Sequence, residues 1–113
     1  WEESLVLITV SGSVFLTSSS DSTAKLLSLS SGEVLRTFQG HRDTVNSAVF
    51  AKDGRTVLTA SSDCFAKHWD VESGDCLRTF CGHRDSVCTA SLSSTGSLAL
   101  TSSNDCTARV WSV

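Results

Sequence analysis

Apolar residues along this chain fall in short alternating runs broken by Gly, Asp and Ser. Val45 to Ala51 is one such run, and Asp53-Gly54 behind it is a dipeptide suited to a tight hairpin. Thr56 to Ser61 follows and closes at a turn around Ser62-Asp63. A third run spans Phe65 to Val71 and ends at Ser73-Gly74, and a fourth spans Cys76 to Phe80 and leads into Gly82-His83. A period of two residues bounded by turn formers predicts strands. A helical period of 3.6 residues is not sustained anywhere, so no helix is expected.

The run pattern is itself repeated. A shift of 42 residues lays Gly40-His41-Arg42-Asp43 on Gly82-His83-Arg84-Asp85, and Leu35-Arg36-Thr37-Phe38 on Leu77-Arg78-Thr79-Phe80. The same shift lays Asp63-Cys64 on Asp105-Cys106 and Trp69 on Trp111. Taken backwards, it aligns Asp21 with Asp63, Ala24-Lys25 with Ala66-Lys67, and Gly12 with Gly54. Four antiparallel strands recurring about every 40 residues describe the blade of a β-propeller. The expected fold is therefore all-β, a partial propeller of about three blades built from four-stranded antiparallel sheets. Residues 1–113 form one segment, with blade 1 at about 3–38, blade 2 at about 45–80 and blade 3 at about 87–113. The third blade is incomplete because its outer strand is missing.

These features resemble the WD-repeat family over nearly the whole chain. The resemblance is carried by Gly40-His41 and Gly82-His83, by Asp21, Asp63 and Asp105, and by Trp69-Asp70 and Trp111-Ser112. It implies a structural hydrogen-bond chain inside each blade: His41, Thr59, Asp63 and Trp69 in the second, and His83, Thr101, Asp105 and Trp111 in the third. An ionised Asp can accept from its turn's N–H groups and from an imidazole. The second ring nitrogen then meets a Thr hydroxyl, which takes the indole N–H. The first blade has Asp21 and Thr17 but Leu27 at the Trp position, so it is expected to rely on Leu5, Leu7, Val14, Leu16, Leu26 and Leu29 for packing.

Asp, His and a hydroxyl in line are also the parts of a nucleophilic triad. Here the set occurs in both complete repeats and, by the resemblance, sits under a Trp inside the blade, so no catalytic residue is assigned and no enzyme is expected. Cys81-Gly82-His83 with Cys88 lacks zinc-finger spacing, and His83 already has a structural use, so neither a metal site nor a cofactor is expected. His68 stands where the sister repeats have Leu26 and Val110. It reads as a tolerated polar substitution between blades or, more sharply, as a ligand or proton-sensitive contact.

Composition narrows the function. The net charge is -3, with 40% hydrophobic and 19% charged residues, a globular balance without the basic field that nucleic acid requires. No apolar run reaches the roughly 18 residues that span a bilayer, so no membrane partner is expected. The five cysteines are odd in number, and Cys64 and Cys106 match by repeat position, so they read as free thiols in a reducing, cytoplasmic or otherwise intracellular compartment. The chain contains no Met, which points to a piece of something longer.

The expected function is a non-catalytic scaffold segment for protein–protein interaction, part of a larger propeller or complex. Its candidate partner-binding rim is Arg42, Asp43, Phe65, Arg84, Asp85 and Asn104, from loops at one end of the strands. Phe65 stands out because its sisters are Thr23 and Thr107, and aromatic and Arg side chains are the favoured anchors of interfaces. Expected partners are other proteins or the remaining blades of a parent chain. The resemblance implies about seven blades, so the alternative is a self-assembling partial propeller, a homo-oligomer completed by other copies.

Overall fold

The computed structural model describes the backbone of residues 5–113 and the side chains from residue 10 onward. Among the described residues there is no helix, and the strands form three consecutive antiparallel sheets. The first contains β1 (Leu5–Ser11), β2 (Val14–Ser19), β3 (Ala24–Ser28) and β4 (Val34–Phe38), in that order. The second contains β5 (Val45–Phe50), β6 (Thr56–Ser61), β7 (Ala66–Asp70) and β8 (Cys76–Phe80). The third contains β9 (Val87–Leu92), β10 (Leu98–Ser103) and β11 (Ala108–Ser112). These are three blades of a partial β-propeller, as the alternating runs predicted.

Register repeats with the sequence. Thr17 pairs with Lys25, Thr59 with Lys67 and Thr101 with Arg109 at matching places in the three sheets. Leu16 faces Leu26, Leu58 faces His68 and Leu100 faces Val110. Because side chains alternate across a strand, this shared register sends the same repeat positions to the same face of every blade.

The core lies between the sheets. Leu16, Ala24, Leu26 and Phe38 of blade 1 pack against Val45, Ala48, Val57 and Trp69 of blade 2. Leu58, Ala60, Ala66 and Phe80 of blade 2 pack in the same way against Val87, Ala90 and Ala99 of blade 3, with Trp111 partly buried beside them. Phe38 meets Trp69 at a ring separation of 5.6 Å, and Phe80 meets Trp111 at 5.5 Å. Each fully buried large side chain of this kind contributes about 1.5–3 kcal/mol, so adjacent blades hold each other.

Arginines add a polar clasp at each junction. Arg36 on β4 donates from Nε to the carbonyls of Val71 (3.1 Å) and Glu72 (3.0 Å), beyond β7 of the next blade. Arg78 on β8, its counterpart in the repeat, donates to the carbonyl of Ser112 at the end of β11.

Two expectations change in detail. Leu29 is 49% exposed and takes no part in the core, whereas Leu27 is buried. The cause is the turn after β3, where Gly32 N–H donates to the Ser28 carbonyl (2.8 Å) and turns Leu29 outward. The third run of blade 2 is shorter than its apolar pattern, and Phe65 lies before β7, its carbonyl accepting from Ser61 N–H (3.1 Å). Leu16 and Leu26 are core, and Val14 packs partly against them. The side chains of Leu5 and Leu7 lie outside the described residues.

Candidate functional site: a pinned loop rim

The loops between β4 and β5 and between β6 and β7 meet at one end of blade 2. Ser62 N–H donates to the Thr44 carbonyl (2.9 Å), and Ser61 Oγ donates to that of Asp43 (3.2 Å). Asn104 N–H to Ser86 O (2.9 Å) and Ser103 Oγ to Asp85 O (3.2 Å) join the matching loops of blade 3.

Asp63 organises the blade 2 corner. Its Oδ1 accepts from Phe65 N–H (2.9 Å), and its Oδ2 accepts from Arg42 N–H (3.0 Å) and from His41 Nδ1 (2.8 Å). The other nitrogen of His41 lies 2.6 Å from Thr59 Oγ1, which also accepts from Trp69 Nε1 at 2.9 Å. A carboxylate on Nδ1 selects the tautomer with its proton there. Thr59 then donates to Nε2 while accepting from the indole, and each side-chain polar atom of the chain has a partner. Blade 3 repeats this with His83 Nδ1 2.9 Å from Asp105, His83 Nε2 2.6 Å from Thr101, and Trp111 Nε1 2.9 Å from Thr101. The structure thus brings together all eight residues of the two sets, each within its own blade.

Burial opposes ionisation of Asp63, but the N–H groups of Arg42 and Phe65 and the His41 ring outweigh it and hold the carboxyl below its ordinary value. Burial drives the His41 imidazole the other way from its acid partner, and the net effect lowers its pKa and favours the neutral ring. Asp105 is held low chiefly by the Thr107 hydroxyl, against the cost of burial, with the Arg84 N–H and His83 assisting. In blade 2 the buried carboxylate, the neutral His41 ring and the Thr59 hydroxyl are therefore locked in mutual hydrogen bonds.

The glycine before each His is required by close approach. Gly40 and Gly82 have φ of 152° and 155°, and a Cβ there would stand 3.2 Å from Trp69 and 3.0 Å from Trp111. The Gly-His loop therefore lies directly on the indole.

Blade 1 keeps only part of this arrangement. Asp21 Oδ1 accepts from Thr23 N–H (3.0 Å) and from its hydroxyl (2.6 Å), so the turn is preserved. Leu27 is buried where the other blades carry Trp.

The rim residues stand on these pinned loops. Arg42, Asp43, Arg84, Asp85 and Asn104 are exposed, and Phe65 is half-buried. Asp43 and Asp85 accept from the N–H groups of Thr44 and Ser86, each at 2.7 Å, instead of pairing with the arginine beside them. Asn104 Oδ1 accepts from Cys88 Sγ at 3.0 Å. The rim is thus two similar corners, with Phe65 setting blade 2 apart.

The clasps of Arg36 and Arg78 are not among the residues singled out from sequence. Their signal was present, since the Leu-Arg-Thr-Phe run recurs at the 42-residue shift. Their acceptors are backbone carbonyls, which no side-chain pattern marks. Asn46 is similar, for its Nδ2 donates to the Val87 carbonyl of the next blade (2.8 Å).

Blades closed internally by an Asp–His–Thr–Trp chain, stacked face to face, define a propeller repeat protein. The family model for the WD domain, G-beta repeat, matches residues 32–70 and 74–112. The chain belongs to the WD-repeat family. Comparison with curated proteins finds no match. WD repeats generally mediate protein–protein interaction or scaffolding, and the family is generally non-enzymatic. Each matched segment begins on the outer strand of one blade and ends on the third strand of the next: β4 to β7, then β8 to β11.

Proposed function

We propose that this chain is a non-catalytic scaffold segment whose partner-binding surface is the rim carrying Arg42, Asp43, Phe65, Arg84, Asp85 and Asn104. The observation that supports it is the pairing of rigid backbone with free tips. The N–H groups of Arg42 and Arg84 are each fixed 3.0 Å from a buried carboxylate, while their side chains remain exposed. A surface already ordered loses little conformational freedom on docking, and Arg with an aromatic ring supplies anchors of the kind that dominate interfaces. The His–Asp–Thr sets serve as supports for this rim, each enclosed within a blade. Partners are other proteins, in a larger propeller or complex. The unpaired state of all five thiols supports a reducing intracellular setting.

The test is affinity capture with the Arg42→Ala, Phe65→Ala, Arg84→Ala variant against wild type, with Glu33→Ala, an exposed residue between β3 and β4, as a control at the opposite ends of the strands. Loss of bound proteins in the triple variant alone is expected. Retention of every bound protein by the triple variant would refute the choice of rim.

A second reading is favoured by the far face of blade 3. Leu100 and Val110 are 44% and 65% exposed, while their counterparts Leu58 and His68 are 0% and 8% exposed against the neighbouring blade. In this reading another copy of the chain covers that face, and the native mass would be a multiple of 12.0 kDa. A monomeric mass by light scattering would refute it.

A further inference from the structure

The two Asp–His–Thr–Trp chains differ at the hydroxyl. Thr59 Oγ1 has three partners within reach: His41 Nε2 at 2.6 Å, Trp69 Nε1 at 2.9 Å and the carbonyl of Lys67 at 3.4 Å. Thr101 Oγ1 meets His83 Nε2 and Trp111 Nε1 at the same two distances, but among the described residues it has no carbonyl acceptor. The difference matters because a hydroxyl has one proton to donate and two lone pairs to accept with, and it rotates freely between partners.

With His41 neutral, Thr59 donates to Nε2, accepts from the indole and needs nothing from Lys67. A proton added at Nε2 reverses the first bond. The ring then donates to Thr59 Oγ1, whose two lone pairs take the imidazole and indole N–H groups, and the hydroxyl turns to the Lys67 carbonyl. The rest of the corner is unchanged. Nδ1–H still donates to Asp63 Oδ2 at 2.8 Å, and Asp63 still accepts from the N–H groups of Arg42 and Phe65. The one covalent change is the new N–H bond, and its proton comes from water.

The charges around the ring set when this happens. Burial, the largest influence, and the positive charge of Lys67 favour the neutral imidazole, whereas the Asp63 carboxylate favours the charged one. The Lys67 ammonium is itself held by Thr79 Oγ1 at 2.9 Å. Burial prevails, so the pKa is lowered and the charged ring belongs to acid solution.

We infer that the His41–Thr59 pair is a proton switch built into blade 2: His41 takes up a proton in the folded state, Thr59 reverses its hydroxyl towards the Lys67 carbonyl, and the loop corner stays pinned. The switch changes the charge beneath the Arg42 loop without changing the loop's shape. It concerns the support under the rim, so it stands or falls separately from the partner-binding surface proposed above.

The test is NMR of the ¹³C,¹⁵N-labelled protein as it is acidified from neutral pH to about pH 4, with only three histidines to assign. His41 Nε2 is expected to pass from a bare to a protonated nitrogen signal, and the Lys67 carbonyl carbon should shift with the same midpoint. The Trp69 indole and Arg42 amide signals should keep their folded positions. Loss of the folded Trp69 signal together with the change at Nε2 would overturn the inference, because His41 would then gain its proton only on unfolding. So would a ring still neutral at the end of the titration, or a Lys67 carbonyl that does not respond while the ring titrates.

Thr59→Ser keeps the hydroxyl and should titrate in place as wild type does; failure to do so would count against the switch. Thr59→Val should lower the His41 pKa by about one unit, because a charged ring N–H buried without an acceptor costs more than a bare ring nitrogen. An unchanged or raised value would refute the role given to Thr59. Should Thr59→Val fail to fold, the wild-type and Thr59→Ser titrations decide.

Discussion

The hydroxyl of Thr59 lies 2.6 Å from Nε2 of His41, and through it the loop corner and the indole of blade 2 are joined by hydrogen bonds. It donates a hydrogen bond to the imidazole and accepts one from the Trp69 N–H. Replacing it with an apolar group of the same shape strands two buried polar atoms at once.

Thr59→Val is therefore expected to lower unfolding free energy by about 2–4 kcal/mol, since each stranded group costs about 1–3 kcal/mol. Thr101→Val should cost less, because Trp111 is only partly buried and water can reach its N–H. Urea denaturation of both variants checks this, and equal losses would contradict it. In a double-mutant cycle, Trp69→Phe should cost less in the Thr59→Val background than alone.

Stability should fall as the solution is acidified below neutrality. His41 and His68 both have pKa values lowered from 6.5 by burial. Below that value the unfolded chain takes up protons that the folded chain resists, so stability declines as pH falls from 6.5 towards the folded values. Asp63 acts in the same direction at lower pH. Its lowered pKa contributes stability present above 3.8 and lost as pH falls through the folded value. The urea midpoint should be lower at pH 5.5 than at pH 7.5, and His68→Leu should reduce the difference. A midpoint independent of pH would count against both neutral rings.

Gly82→Ala should be severe for an exposed position. The added Cβ would stand 3.0 Å from Trp111 and 3.1 Å from Arg109 at a φ of 155°. A loss of about 2 kcal/mol or more is expected from strain and clash together. Gly96→Ala, with φ of 76° and open space around it, should cost less because only the backbone is strained. Thermal melts of the pair separate the two contributions.

Cys106→Gly should stabilise the protein. Ser22, Cys64 and Cys106 occupy one repeat position and all have positive φ, at 75°, 76° and 71°. A side chain in that left-handed region costs about 1–2 kcal/mol, while Gly loses about 0.5–1 kcal/mol through its freer unfolded chain. Cys106 is exposed, so little packing is lost, and a net gain of a few tenths to about 1 kcal/mol is expected. An unchanged or lower melting temperature would contradict it.

Much of this was legible in the sequence because the features repeat. The shift that aligned Gly40-His41 with Gly82-His83 and Asp63 with Asp105 also located the strands, since a shared register follows from shared spacing. What escaped was the information that side chains do not carry. Arg36 and Arg78 reach carbonyls, and a carbonyl looks the same at every residue. Leu29 looked like core by hydrophobicity, but the Ser28–Gly32 turn removed it. That His68 faces a cleft between the β5–β6 and β9–β10 turns was invisible until the two turns were placed side by side.

The half-step between the matched segments and the sheets has a practical consequence. A segment such as 74–112 runs from the outer strand of blade 2 to the third strand of blade 3, so each segment straddles two sheets as a roof tile covers the joint beneath it. Excising that stretch would strip the last tile course from blade 2 and leave the cut end of β7 bare. A designer who wishes to shorten, permute or splice this protein should cut in the loop between Phe38 and Val45, where each sheet keeps all its own strands. The unit that is copied along the chain is not the unit that can be lifted out.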